Sequence, residues 1–170
     1  MDRSTTELTN ADEVIVQRSD PFVLEPSQVR LEAPGEPGFK IEFKVLASDT
    51  AGQFTLLEWA LDPWQLGPGL HSHNFDEAFY VLSGLVEFQV RDDRYVLGPK
   101  QVAWMPRNTP HSFSNAGPEL ATGLNVSAPG GLERIFAAHA AGEPNPTEFG
   151  VAFHGPPVGS DRAPRNPSQV

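Results

Sequence analysis

Residues 69–84 read Gly69-Leu-His71-Ser-His73-Asn-Phe-Asp-Glu77-Ala-Phe-Tyr-Val-Leu-Ser-Gly84, and residues 106–115 read Pro106-Arg-Asn108-Thr-Pro-His111-Ser-Phe-Ser-Asn115. Three of the chain's five histidines and one glutamate fall in these two strings. Imidazole nitrogens combined with a carboxylate oxygen suit Fe, Mn, Ni, Co, Cu or Zn, whereas Ca and Mg prefer oxygen donors. By accident, a His-x-His-x3-Glu-x6-Gly string arises on the order of once in a thousand chains of this length, and the second string makes chance far rarer. His71, His73, Glu77 and His111 are therefore read as one metal site, not as unrelated surface residues.

Their spacing also speaks to the fold. Side chains two apart on a strand share a face, so His71 and His73 can reach one ion. Six residues at about 3.3 Å each would place Glu77 roughly 20 Å from His71, while donors lie about 2.0–2.2 Å from their metal. The chain must turn back between His73 and Glu77, and Asn74 and Asp76 are turn formers. His111 has to arrive by tertiary folding. The pattern calls for a small β-barrel with the metal inside.

The rest of the chain agrees with an all-β domain. Phe39 to Leu46 alternates, with Ile41, Phe43 and Val45 on one face. Phe54 to Leu61, Glu77 to Ser83, Val86 to Arg91, Arg94 to Leu97, Gln101 to Met105, His111 to Ser114 and Leu120 to Ser127 read as further strands. With the strand that carries His71, they suggest a sandwich or barrel of about eight strands. One helix is expected over Gly131 to Ala141, with Gly142 as its stop and His139 packed on the barrel side. The organisation is an N-terminal arm (1–38), a barrel (39–128), a helix with a docking segment (129–158) and a disordered tail (159–170). Within the arm, residues 1–12 read as a lead-in and Val14 to Val29 as short edge strands. Phe149, Val151 and Phe153 are expected to dock on the barrel or a neighbouring subunit, and His154 to lie on the surface.

At 170 residues the chain suffices for one domain that buries roughly two-thirds of its unfolded surface. Acidic residues outnumber basic ones 22 to 12, giving a net charge of −10 that disfavours nucleic acid and anionic membrane surfaces as partners. No cysteine is present, which rules out disulfides and thiolate ligands. The N-terminal residues are polar, without the apolar core of a secretory signal, and no apolar run reaches the length of a membrane span. A cytoplasmic protein is the expectation.

These residues resemble the cupin superfamily, specifically single-domain (monocupin) proteins of the quercetin-dioxygenase-like group. His71, His73, Glu77 and Gly84 match the first family motif, Gly-x5-His-x-His-x3,4-Glu-x6-Gly, with Gln65 at its leading glycine. Pro106, His111 and Asn115 match the second, Gly-x5-Pro-x-Gly-x2-His-x3-Asn, with Lys100 and Asn108 at its glycines. Asn108 tolerates a left-handed turn, whereas Lys100 requires ordinary backbone or strain. The resemblance, which covers about residues 39–128, implies a double-stranded β-helix, or jelly roll. It also implies one divalent transition metal held by His71, His73, Glu77 and His111, and a homodimer joined near the N-terminus.

Three chemistries follow from such a site. The leading one is a dioxygenase acting on a small enolisable or aromatic substrate, flavonol- or diketone-like, with Glu77 as catalytic base. The others are redox-neutral isomerisation, cyclisation or decarboxylation, and small-molecule binding without catalysis. Parity places Phe79, Val81 and Phe113 on the inward face. With Trp59 and Trp104 they form the expected substrate pocket. Tyr80 and Glu58 are the nearest candidates for an added proton-transfer group.

Overall fold

Apolar residues at alternate positions, cut into short runs by turns, give eleven strands in the computed structural model, which describes residues 20–33 and 36–162. They are β1 (Leu31–Glu32), β2 (Phe39–Val45), β3 (Thr55–Leu61), β4 (Leu70–Ser72), β5 (Asp76–Ser83), β6 (Val86–Val90), β7 (Asp93–Leu97), β8 (Val102–Met105), β9 (His111–Asn115), β10 (Ala121–Ala128) and β11 (Ala152–Gly155). A six-stranded sheet runs β1-β2-β3-β10-β5-β8 and a five-stranded sheet runs β11-β4-β9-β6-β7. All pairings are antiparallel. The fold is a jelly roll, with one helix, α1 (Leu132–Ala141), after the last long strand.

Strict alternation on β3, whose odd-numbered residues Thr55, Leu57, Trp59 and Leu61 are buried, turns one face of each long strand inward. Phe79 and Phe113 pack between the sheets with Phe88, at centroid distances of 5.4 Å (Phe79–Phe88), 5.2 Å (Phe79–Phe113) and 5.8 Å (Phe88–Phe113). Each such ring contributes about 1.5–3 kcal/mol by burial. The helix is anchored through Glu133, whose carboxylate accepts from Ala47 N at 2.8 Å and Thr55 Oγ1 at 2.7 Å. Its C-terminus closes at Gly142, in the left-handed conformation at φ 68°.

Several expectations need correction. The bend after His73 does not fold the chain back on its own strand: it carries the chain across, from β4 in one sheet to β5 in the other. Residues 152–155 do more than dock, since β11 pairs with β4 as an edge strand. Among the described residues the first strand is Leu31–Glu32, and residues 20–29 form none; the earlier part of Val14 to Val29 lies outside the described residues. Both strands are too short for periodicity to reveal. The segment 159–162 is ordered, because Arg162 Nη1 donates to Asn115 O at 2.8 Å and its guanidinium pairs with Glu87. Residues 1–19 and 163–170 lie outside the described residues, and with them the lead-in, the start of the arm and most of the tail.

Both departures in the second motif keep a left-handed backbone, with φ 71° at Lys100 and 62° at Asn108. Lys100 thus carries the strain that glycine would avoid, a cost of about 1–2 kcal/mol. The motif asparagine has a structural task. Asn115 Nδ2 donates to the carbonyls of Leu61 (3.0 Å), Asp62 (2.9 Å) and Glu119 (2.7 Å), and its Oδ1 accepts from Gly117 N (2.8 Å). Asn115→Ala strands these buried backbone groups and should cost about 3 kcal/mol. The urea midpoint should fall while the slope of the transition stays that of the parent.

Candidate metal centre

β4 and β9 place His71 directly opposite His111, and His73 follows on the bend. Glu77 faces them from the start of β5, in the other sheet. The bend is pinned from the 106–110 loop. Arg107 grips the Asp76 carboxylate through Nη2 (2.7 Å) and Nε (3.2 Å), and Asn108 N donates to His73 O at 2.6 Å. The Arg107 side chain holds Asp76 down to about 2. Phe75 lies parallel to the His73 ring with centroids 3.6 Å apart, and Phe149 meets Phe75 edge-on at 5.9 Å.

Each histidine spends its Nδ1 on a backbone carbonyl: His71 on Gly69 O (2.7 Å), His73 on Phe75 O (3.0 Å) and His111 on Thr109 O (2.9 Å). A carbonyl can only accept, so each Nδ1 carries the hydrogen and each neutral ring has its lone pair on Nε2. The three ligand atoms lie within 4.8 Å of one another. Glu77 Oε2 stands 2.8 Å from His73 Nε2 and 3.0 Å from His111 Nε2. Lone pairs on two neutral rings and a carboxylate repel at these distances, so a proton or a metal cation belongs between them. Convergent imidazole nitrogens beside a buried carboxylate fit a divalent transition metal.

The electrostatics follow from the same contacts. Burial pushes the Glu77 carboxyl up, but hydrogen bonds from His111 and His73 outweigh it and hold the group well below the usual carboxylate range. Burial, and then the charge of His111, draws His71 down to about 4. For His111 burial also acts downward, yet the hydrogen bond and charge of Glu77 prevail and raise it above the ordinary imidazole value. Asn125 Nδ2 on β10 donates to Glu77 Oε1 at 3.1 Å, fixing the carboxylate with Oε2 toward the histidines.

The centre opens into a cavity of about 520 Å3, within the range of small-molecule sites. Among the expected pocket residues, Trp59, Phe79 and Phe113 line it. Val81 is fully buried in the core but does not reach the cavity. Trp104 lies outside altogether: it pairs with Ala78 on the outward face of β5–β8 and is 57% exposed. Tyr80 is also on that outer face, and Glu58 lies 3.7 Å from Lys44 Nζ, so neither serves the cavity as an acid or base. His139 is exposed at the cavity rim, near Phe136, and His154 is an exposed partner of Ser72 at 2.8 Å. The strand-by-strand reading omitted Asn125 and the helix wall of Leu132, Ile135 and Phe136. For Asn125 a signal existed, because inward parity on β10 runs through Ala121, Gly123, Asn125 and Ser127.

Fold and site together define a jelly-roll domain with a candidate metal centre between its sheets. Residues 57–127 match the family model described as the cupin domain. Among solved structures the chain is similar to the polyketide cyclase RemF from Streptomyces resistomycificus (22% identity, TM-score 0.55, 64% of this chain and 80% of that one). A comparable likeness links it to an RmlC-like cupin from Shewanella frigidimarina (18% identity, TM-score 0.55, 66% and 94%). A predicted oxalate decarboxylase from Thermotoga maritima is a third (20% identity, TM-score 0.51, 53% and 79%). At these identities the likeness is one of fold. A comparison with curated proteins finds no match. Among the described residues, no helix is long and apolar enough to cross a membrane.

The raised His111 and the lowered His71 make opposite predictions for metal binding. A group whose value is raised stays protonated to higher pH, so an incoming cation must displace the His111 proton. His71, neutral above about 4, offers no competing proton near neutrality. Zinc titrated into chelator-stripped protein should therefore release protons, and affinity should fall as pH drops through the His111 range. Calorimetry in buffers of different ionisation enthalpy measures the release.

Proposed function

We propose that the protein is a metal-dependent cupin dioxygenase acting on a small enolisable or aromatic substrate, with a flavonol- or diketone-like core. What supports the reading is one arrangement: the ligand atoms of three histidines lie within 4.8 Å of one another, with Glu77 Oε2 beside two of them, in a cavity walled by Trp59, Phe79 and Phe113. When bound, a divalent transition metal supplies Lewis acidity and redox chemistry. The residues that would hold it are His71, His73, His111 and Glu77. The apolar wall excludes water and favours a flat ligand. Glu77 Oε2 is buried beside the histidines and is the candidate acceptor for an enol proton, a role that requires the hydrogen bonds from His111 and His73 that lower it to give way. Redox-neutral proton shuffling usually wants a second acid or base beside the metal; Tyr80 and Glu58 are turned away, so that role would fall to His139 or Glu36, which also line the cavity. The aromatic wall of Trp59, Phe79 and Phe113, suited to a flat enolisable ligand, is what supports the oxygenase reading.

The reading is tested by metal analysis of protein purified without chelators, then by an oxygen electrode with flavonol and β-diketone substrates. His73→Ala or His111→Ala should strip most of the metal, and retention of parental content would overturn the ligand assignment. Glu77→Gln should cost about 100–10,000-fold in turnover while keeping the metal if the carboxylate acts as base. Turnover without oxygen uptake would move the protein to the redox-neutral class, and binding without turnover to a sensor or carrier. The proposal includes a cytoplasmic homodimer, for which light scattering should give twice the 18.5 kDa chain mass.

A further inference from the structure

Register sets out the inner face of the six-stranded sheet as three rows across β3, β10 and β5. Thr55, Ser127 and Glu77 form the first row, Leu57, Asn125 and Phe79 the second, and Trp59, Gly123 and Val81 the third. Gly123 is needed there, because a Cβ would stand 2.1 Å from Trp59 Cζ2. The indole therefore packs against the β10 backbone at Gly123, on the diagonal from Asn125.

Trp59 is 1% exposed and Asn125 2%, and both line the cavity. Trp59 Nε1 and Asn125 Oδ1 are buried and have no hydrogen-bond partner among the described residues. The other half of the Asn125 amide is already committed to Glu77 Oε1. Buried polar atoms are seldom left unpaired, because the cost of desolvating them is then uncompensated. Leu57 and Phe79, on either side of Asn125, offer no polar atom to relieve it. One N–H donor and one C=O acceptor are thus left unpaired on two residues that line the cavity, about 7–8 Å apart at the backbone as diagonal strand neighbours; Ser127 Oγ, also unpaired on this sheet face, belongs to a residue that does not line the cavity.

We propose that Trp59 Nε1 and Asn125 Oδ1 form a recognition pair for the ligand of this cavity. Trp59 donates to a carbonyl or ether oxygen and Asn125 accepts from a hydroxyl of the same planar, mostly apolar molecule. This rests on the reading of the cavity as the substrate site and narrows its substrate class to aromatic compounds bearing both a hydroxyl and a carbonyl. Asn125 also acts as a positioning residue, since one amide holds Glu77 through Nδ2 and senses the ligand through Oδ1.

The test uses four bicyclic probes: naphthalene, 2-acetylnaphthalene, 2-naphthol and 6-acetyl-2-naphthol. Affinities are measured by calorimetry on zinc-loaded and on metal-free protein, with zinc content determined for every variant. The parent should bind 6-acetyl-2-naphthol at least about tenfold more tightly than naphthalene, as two hydrogen bonds would give. Trp59→Phe should weaken 2-acetylnaphthalene about 3–10-fold and leave naphthalene unchanged, with zinc content equal to the parent's. Asn125→Leu should do the same to 2-naphthol. The pair is overturned if the parent does not discriminate among the probes, if it binds none of them, or if Trp59→Phe weakens naphthalene as much as 2-acetylnaphthalene. Each of those results leaves the metal proposal standing. Failure to take up zinc overturns the metal proposal instead, and the metal-free series still decides the recognition pair.

Discussion

A carbonyl oxygen cannot donate a hydrogen bond, and each of the three site histidines spends its Nδ1 on one. That constraint turns Gly69 O, Phe75 O and Thr109 O into a device that fixes both tautomer and ring direction. Nε2 must then face the centre, where Glu77 arrives from the opposite sheet. Each of these carbonyls lies two residues from its own histidine, before His71 and His111 and after His73. The centre is thus held by local backbone geometry, and it fails if the β4 strand end, the bend or the 109–111 turn shifts.

The surrounding structure keeps those three carbonyls in place. Asp76 and Arg107 clamp the bend to the loop before β9, and Asn108 N caps His73 O. Phe75 supplies a carbonyl to His73 and a ring to stack on it, and its ring is itself packed by Ile135 of α1 and by Phe149. Helix position is therefore transmitted to one histidine through a single side chain. Glu133 fixes the helix N-terminus on Ala47 and Thr55, so the cavity wall built from Leu132, Ile135 and Phe136 is tied to the sheet that carries Glu77.

Strand periodicity made the barrel and the inward face legible, because Phe79 and Phe113 follow from Glu77 and His111 by simple parity. Parity says which face a residue occupies but not how far the cavity extends, and so Val81 was assigned to the pocket although it lies beyond it in the core. Trp104 shows a different limit. It is expected in the pocket, yet β8 meets β5 in the register that pairs it with outward Ala78. A two-residue and a four-residue strand, β1 and β11, exist only through their partners and leave no periodic trace. Arg162 likewise orders the start of the tail through Asn115 O and Glu87, contacts far away in sequence. Asn125 was within reach of sequence reasoning, since a polar residue at an inward strand position requires a partner, and Glu77 is that partner.

Charge balance links the centre to the ligand chemistry proposed for it. Without metal, the buried Glu77 carboxylate is compensated by sharing hydrogens with His73 and His111, which is why His111 keeps its proton above the ordinary range. A divalent ion in the same place, with three neutral imidazoles and one carboxylate, leaves a net charge of +1 in an apolar cavity. Burying that excess charge is costly unless an anion shares the cavity. An enolate or phenolate meets this need, and a neutral apolar molecule does not. A ligand that surrenders a proton to enter is served by neutral polar groups: Trp59 can donate to such an anion, and Asn125 can hold it through a second hydroxyl that keeps its proton, neither adding a charge that would compete with the centre for it.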